Sequence, residues 1–182
     1  MKVTETKLKG CFIIEPLFFK DKRGCFLLEF NKKEFIKKTG FTGDFVLGNQ
    51  STSEYGVVRG LHLQKGEHSQ AKLIRVVKGK ILDVAVDVRK DSPTFGKYIS
   101  TELSEDNNRQ LLVPRGFLHG FSVLENETIV SYKCDNYYEP NSEEGVVYND
   151  PELDIDWKLK EEVIILSEKD KKLISFENFL KL

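Results

Sequence analysis

The run "GVVRGLHLQ", Gly56 to Gln64, places an arginine and one of only three histidines inside a stretch that otherwise reads as buried β-strand. Each has a definite chemistry. The guanidinium of Arg59 is a planar fork of donors that stays charged, a shape suited to phosphate or diphosphate. The imidazole of His62, neutral near pH 7, can take up a proton and is a candidate general base. Strict strand alternation keeps the two apart, grouping His62 with Gly60 and Gln64, and Arg59 with Leu61 and Leu63. A bulge at Gly60, or a place for Arg59 at the mouth, would bring both to one cavity. A further histidine, His119, sits in "VPRGFLHGF", Val113 to Phe121, again among apolar residues.

The elements that must hold these groups are strands. "CFIIEP", "GCFLLEF", "GDFVLGNQS", "YGVVRGLHLQ", "AKLIRVVKG", "KILDVAVDV", "GKYISTELS", "RQLLVPRG", "FLHGFSVLE" and "TIVSYKCDNYY" follow one another with Gly, Asn, Asp or Pro between them. A spacing of roughly 8–12 residues predicts an antiparallel sandwich or barrel. The intervening helices of a βαβ fold are missing. "NKKEFIKKTG" predicts one early helix, with Asn31 as N-cap, Phe35 and Ile36 inward and Gly40 as its stop. Ser167-Glu-Lys-Asp170 predicts the opening of a short C-terminal helix. In "ILDVAVDV", Leu82, Val84, Val86 and Val88 share one face, and Ile81, Asp83, Ala85 and Asp87 the other. In "TIVSYKCD", Val130, Tyr132 and Cys134 oppose Ile129, Ser131 and Lys133. A small barrel with a partly polar interior is a ligand cavity more often than a core.

Length and charge bound the function. The 182 residues suit one domain, 1–182, with a sizeable core. Lys and Arg total 28 against 29 Asp and Glu, so no global charge draws the chain to nucleic acid or an anionic membrane. Anion binding falls to a few placed basic residues. No apolar run approaches the roughly 20 residues that span a bilayer. "MKVTETKLKG" lacks the apolar centre of a signal peptide, so a cytoplasmic location is expected. Cys11, Cys25 and Cys134, without a CxxC, read as buried small hydrophobes in a reducing compartment.

The Pro-x-Gly-x-x-His turn, Pro114 to His119, resembles the second motif of the cupin barrels, and His62-x-Gln64-x-x-Glu67 resembles a reduced form of the first. Metal cupins carry His-x-His with a following Glu and a later His. Here Gln64 stands where the second histidine would be, a poor ligand that leaves His62, His119 and Glu67. A cupin barrel without metal is the expectation. "GVVRGLHLQ", "QAKLIRVVKGKILDVAVDVRKDSPTFGKY", "RQLLVPRGFLHGF", "YKCDNYYEPNSEEG" and "ILSEKD", in order from about residue 10 to 175, together resemble the dTDP-4-dehydrorhamnose 3,5-epimerase family.

The resemblance implies a mainly β fold, a cupin-type antiparallel barrel or jelly roll, in a homodimer with no metal and no other cofactor. It implies an isomerase that inverts C3 and C5 of a nucleotide-linked 4-keto-6-deoxyhexose on the way to dTDP-rhamnose and cell-surface polysaccharide. His62 is then the base. Tyr132 is the acid on the opposite face of the sugar, and Lys72 the cation that stabilises the oxyanion formed at C4. Asp170 orients His62, although Ser167-x-x-Asp170 equally reads as a capping box. Arg59 matches the diphosphate contact; Arg23, His119 and Lys169 match contacts to phosphate or sugar. Asn49 joins the substrate contacts, Glu143 meets the nucleoside, and Tyr138 either stacks on the base or merely packs. The Arg23 segment in this family reaches the neighbouring subunit's site.

Two departures bear on the nucleotide. Leu28 stands where the family usually has a glutamate, with Glu29 one step later on the opposite strand face. Leu47-Gly48-Asn49 replaces Gln-Asp-Asn. Discrimination between bases is therefore expected to be weaker than this family normally shows. Two other readings fit the same residues: a single-site epimerase or ketoisomerase, and a non-catalytic sugar-nucleotide or small-ligand cupin. The latter would have no use for His62, Lys72 and Tyr132 together.

Overall fold

The structure, a computed structural model, describes residues 1–182. In chain order the elements are β1 (Lys2–Glu5), β2 (Phe12–Glu15), β3 (Leu17–Asp21), β4 (Gly24–Leu28), α1 (Lys32–Thr39), β5 (Leu47–Ser53), β6 (Val58–Gln64) and β7 (Lys72–Lys78). They continue as β8 (Lys80–Asp87), β9 (Tyr98–Ser104), β10 (Gln110–Val113), β11 (Phe117–Val123), β12 (Thr128–Cys134), β13 (Glu143–Gly145) and α2 (Phe176–Phe179). Two antiparallel sheets result, one ordered β1-β2-β10-β7-β12-β5 and the other β13-β6-β11-β8-β9, and β3 and β4 form a separate hairpin. This is the antiparallel, mainly β architecture that the strand spacing predicts, of the cupin type that the resemblance implies. β1, β3 and β13 are the strands the sequence does not announce: "KVTE" and "EEG" carry too little apolar alternation, and every residue of "LFFKD" is exposed.

The alternation within β8 has a physical meaning, because both of its faces are buried. Ile81 and Ala85 meet Phe117, Phe121 and Val123 of β11, and Ile74, Val76, Leu111 and Val130 of the opposite sheet. Leu82, Val84 and Val86 point the other way, under a cover of Val146, Leu153, Trp157, Phe176 and Phe179 from the C-terminal segment. Burying each such side chain contributes about 1.5–3 kcal/mol, which is why the five-stranded sheet reads as nearly continuous apolar sequence. Helix α1 forms as expected: Asn31 Oδ1 accepts the Glu34 N–H at 3.1 Å, and Gly40 closes it in the left-handed region at φ 71°. Phe35 is fully buried against Ile14, Leu73 and Leu112, while Ile36 is half-buried.

Two expectations need correction. Ser167 opens only a single 3₁₀ turn, Asp170–Lys172; the α-helix begins later, at Phe176 under a Ser175 cap. The chain between them turns extended so that Ile174 can bridge Val146, burying Phe176 and Phe179 beyond it. Cys11 and Cys134 are buried, but Cys25 is exposed, because the β3–β4 hairpin packs little of itself against its own chain.

The bulge in β6 answers the question raised by Arg59 and His62. His62 pairs with His119 and Arg59 with Phe121, so Gly60 and Leu61 together oppose the single residue Gly120. One extra residue resets the alternation and turns Arg59 and His62 to the same side. Only glycines fit this crossing. Gly60 has φ +112°, and a Cβ there would lie 2.7 Å from both Gly120 Cα and His119 O. Gly60→Ala is expected to cost about 3 kcal/mol of stability, from a strained backbone plus overpacking. Denaturant titration checks this. A loss within about 0.5 kcal/mol, the range of neutral surface changes, would show that the bulge relaxes freely.

Candidate active site

Between the two sheets lies a cavity of about 260 Å³. Two sheets and one turn supply its walls. Arg59, His62, His119 and Phe121 come from β6 and β11 of the five-stranded sheet, and Ser51, Lys72 and Tyr132 come from β5, β7 and β12 of the six-stranded sheet. Ser167, Lys169 and Asp170 close it from the C-terminal turn. Pockets for drug-sized ligands run to about 300–1,000 Å³, so this one suits a single sugar ring with anything larger on the rim.

His62 sits between two carboxylates. Asp170 Oδ1 lies 2.6 Å from Nε2, without the alignment of a full hydrogen bond, and Glu143 Oε1 lies 3.8 Å from Nδ1. Ser167 Oγ accepts the Asp170 N–H at 3.0 Å and donates to Asp170 Oδ2 at 2.8 Å. One carboxylate oxygen thus bonds Ser167 in the turn and the other faces His62. Burial pushes the Asp170 carboxyl upward, but His62, Ser167 and Lys169 outweigh it and hold the group below the ordinary aspartate value. Gly145, opposite His62, lets β13 approach closely: a Cβ there would meet Leu61 O at 2.4 Å and the imidazole at 3.1 Å.

Across the cavity, Lys72 and Tyr132 shift in opposite directions. Burial pulls the Lys72 ammonium below the ordinary 10.5, against Cys134, Glu143 and Asp83, whose negative charge favours the cation. Burial pushes the Tyr132 phenol above 10.0, with Arg59 opposing. At the rim Tyr138 donates to Glu143 Oε2 at 2.6 Å, and Lys169 pairs with the same oxygen. Burial raises the Glu143 carboxyl, yet Lys169, Tyr138 and His62 hold it below its ordinary value.

Of the predicted site residues, His62, Lys72, Tyr132, Asp170, Arg59, His119 and Lys169 line one cavity. Glu143 and Tyr138 border it. Asn49 pairs with Tyr132 in the sheet, and its amide contacts Cys134 Sγ at 4.0 Å without lining the cavity. Arg23 stands apart, at the hairpin tip, paired with Asp21 at 2.6 Å. Gln64 and Glu67 are structural. The Gln64 amide donates to His68 O and Tyr137 O and accepts from Glu139 N, while Glu67 is exposed beside His68. Glu29 ties Arg75, at 2.8 Å, and Lys133 together outside the cavity. Sequence reading missed Ser51, whose buried Oγ has no partner in the chain, and the role of Asp83, which binds His119. Asp83 had a visible signal, a charge inside the apolar run "ILDVAVDV"; Ser51 had none.

A family model described as dTDP-4-dehydrorhamnose 3,5-epimerase matches residues 5–178. The dTDP-4-dehydrorhamnose 3,5-epimerase of Escherichia coli K12 is 42% identical over 182 residues, covering 100% of this chain and 98% of its own. Among solved structures, the Elizabethkingia anophelis enzyme of that name superposes with a TM-score of 0.94 at 53% identity, over 98% of this chain and 97% of the other. The Legionella pneumophila dTDP-6-deoxy-D-glucose-3,5-epimerase, solved with dTDP-4-keto-L-rhamnose, superposes with a TM-score of 0.93 at 43% identity, over 97% and 93% of the two chains. Sequence and fold thus agree from end to end, and the chain belongs to the dTDP-4-dehydrorhamnose 3,5-epimerase family of isomerases.

Proposed function

We propose that the cavity inverts C3 and C5 of dTDP-4-dehydro-6-deoxy-D-glucose, giving dTDP-4-dehydro-L-rhamnose. The observation that carries this reading is that a carboxylate-backed histidine and a half-buried phenol face one cavity from opposite sheets. A sugar ring lying between them presents one face to His62 and the other to Tyr132. His62 Nδ1 removes the proton next to the C4 ketone, and the C–H electron pair moves onto O4 as an enolate. The Lys72 ammonium stabilises that oxyanion in a partly desolvated site. Tyr132 then delivers its proton to the same carbon from the far face, and exchange with solvent resets both groups before the second carbon reacts. Asp170 favours the imidazolium that forms. Arg59 and Lys169 hold the diphosphate, Tyr138 and Glu143 the nucleoside, and Asn49 supports that end.

Incubation with the 4-keto substrate, followed by reduction and stereochemical analysis of the sugar, tests this. An L-rhamno product is expected. Inversion at C3 alone would make the chain a single-site epimerase, and binding without turnover would make it a ligand-binding cupin.

The same reading extends to a cytoplasmic homodimer serving cell-surface polysaccharide synthesis. Exposed Phe18, Phe19 and Phe26 on the β3–β4 hairpin support the dimer, with Arg23 completing the neighbouring subunit's site. No helix is long and apolar enough to cross a membrane.

The opposed shifts of Lys72 and Tyr132 predict a pH profile. As pH rises, Lys72 loses its proton below the ordinary 10.5, while burial holds the Tyr132 proton above the ordinary 10.0. Turnover should therefore fall on an alkaline limb below the ordinary lysine value. Tyr132→Phe should leave that limb in place, and Lys72→Arg should move it up, since arginine does not titrate there. A limb that disappears with Tyr132 would assign it to the phenol.

Leu28 and Leu47 lead to a binding prediction. Strong discrimination comes from buried polar groups left unpaired by the wrong ligand, and a leucine imposes no such penalty. The carboxylate next in sequence to Leu28, Glu29, is committed to Arg75 and Lys133. Calorimetry should find dTDP and UDP within roughly tenfold, about 1.4 kcal/mol. A thousandfold preference would mean that Asn49 or backbone amides read the base.

A further inference from the structure

His62 lines two cavities. The first is the one between the sheets; the second, of about 190 Å³, lies between β13 and the C-terminal turn. Glu143, Glu144, Lys169, Lys172 and Leu173 help to wall the second, and Lys169 and Lys172 are exposed, so it opens outward. Glu143, which only borders the first cavity, divides its two oxygens here. Oε2 accepts from Tyr138 and pairs with Lys169. Oε1 makes no hydrogen bond within the chain, is not sealed from solvent, and lies 3.8 Å from His62 Nδ1. That gap is just beyond a direct hydrogen bond, so a small side-chain rotation or one water completes the link. The other ring nitrogen offers no outlet, since Nε2 is sealed against Asp170.

We propose that Glu143 Oε1 relays the proton taken up by His62 out to the second cavity, so that His62 is reset while the sugar ring still fills the first. This rests on the epimerase reading and deepens its solvent-exchange step. In the gluco configuration the protons on C3 and C5 lie on the same face of the ring, so one base must act twice. After the first inversion His62 is an imidazolium and Tyr132 a phenolate, and neither can repeat its step. A ring seated in a cavity of about 260 Å³ leaves little room for water at Nδ1 on that side. The imidazolium instead gives its Nδ1 proton to Glu143 Oε1. The carboxylic acid so formed passes the proton to water in the second cavity, leaving His62 neutral and Glu143 ionised. One solvent proton returns to the Tyr132 phenolate, and the protons balance. Burial raises the Glu143 carboxyl, but Lys169, Tyr138 and His62 outweigh it, so the group hands a proton on rather than keeping it.

The test follows the sugar that the intact protein releases early at saturating 4-keto substrate, reduced and analysed for single and double inversion. The wild type should release almost only doubly inverted sugar, since both carbons react in one encounter. Glu143→Ala should raise the singly inverted fraction by about tenfold or more, because His62 then resets mainly after the sugar leaves. Slow exchange past the ring keeps this below the roughly 10²–10⁴ of a positioned proton-transfer group. Sodium acetate, a free carboxylate of the size removed, should bring the fraction back towards the wild-type value, and sodium chloride at equal concentration should not. Lys172→Trp, which fills the second cavity and leaves Glu143 in place, should also raise the fraction while keeping its affinity for dTDP. A wild-type product mix from Glu143→Ala overturns the proposal. So does a rise that acetate leaves unchanged, the result that loss of a nucleoside contact alone would give. A wild type that itself releases singly inverted sugar first overturns it as well. A wild type that inverts neither carbon contradicts the epimerase reading instead, so the two failures are distinct.

Discussion

His62→Ala should abolish solvent deuterium exchange at both C3 and C5 and lower turnover by about a thousandfold or more. A positioned general base contributes roughly 10²–10⁴, and that role is assigned to His62. Asp170→Asn should reproduce part of the defect. The carboxylate that faces Nε2 at 2.6 Å would become an amide that cannot favour the imidazolium. Affinity for dTDP should stay within about twofold in both variants, because neither residue is assigned to the diphosphate. A His62→Ala protein that still exchanges either proton at the wild-type rate would move the base elsewhere in the cavity.

Tyr132→Phe should separate the two halves of the reaction. Abstraction by His62 does not need the phenol, so deuterium should still enter C3 or C5 with retained configuration. Inverted product should fall by about 10²–10³-fold, within the range for a lost general acid. The physical basis is the placement of Tyr132 on β12, in the sheet that faces β6 across the cavity. Burial keeps its phenol protonated at neutral pH and beyond, which is the state a donor requires. If exchange and product fell together and equally, Tyr132 would have to shape the abstraction step as well.

Much of this arrangement is legible in the sequence because its parts obey local rules. β8 reads correctly since burial on both faces forces apolar residues at nearly every position. α1 reads correctly since Asn31 and Gly40 are cap residues with a backbone reason to be there. The site reads through "RGLHLQ" and "PRGFLHG", where charged groups inside apolar strands need a cavity. What escapes has a common cause. The Gly60 bulge is a relation between two strands, visible only once Gly120 lies against it. The double duty of Asp170 depends on which oxygen faces which partner. The exposure of Cys25 reflects a hairpin that its own chain leaves uncovered. Ser51 differs from any strand serine only in what surrounds it.

Proton NMR of dTDP-4-dehydro-6-deoxy-D-glucose with the wild-type protein in deuterium oxide tests the central claim most directly. Both the C3 and C5 proton signals should disappear, and the product should carry deuterium at both carbons in the inverted configuration, with or without a chelator present. Retention of either proton in a product of unchanged configuration at that carbon would contradict double epimerisation, and loss of all exchange on adding chelator would contradict proton transfer by His62 and Tyr132 without a metal.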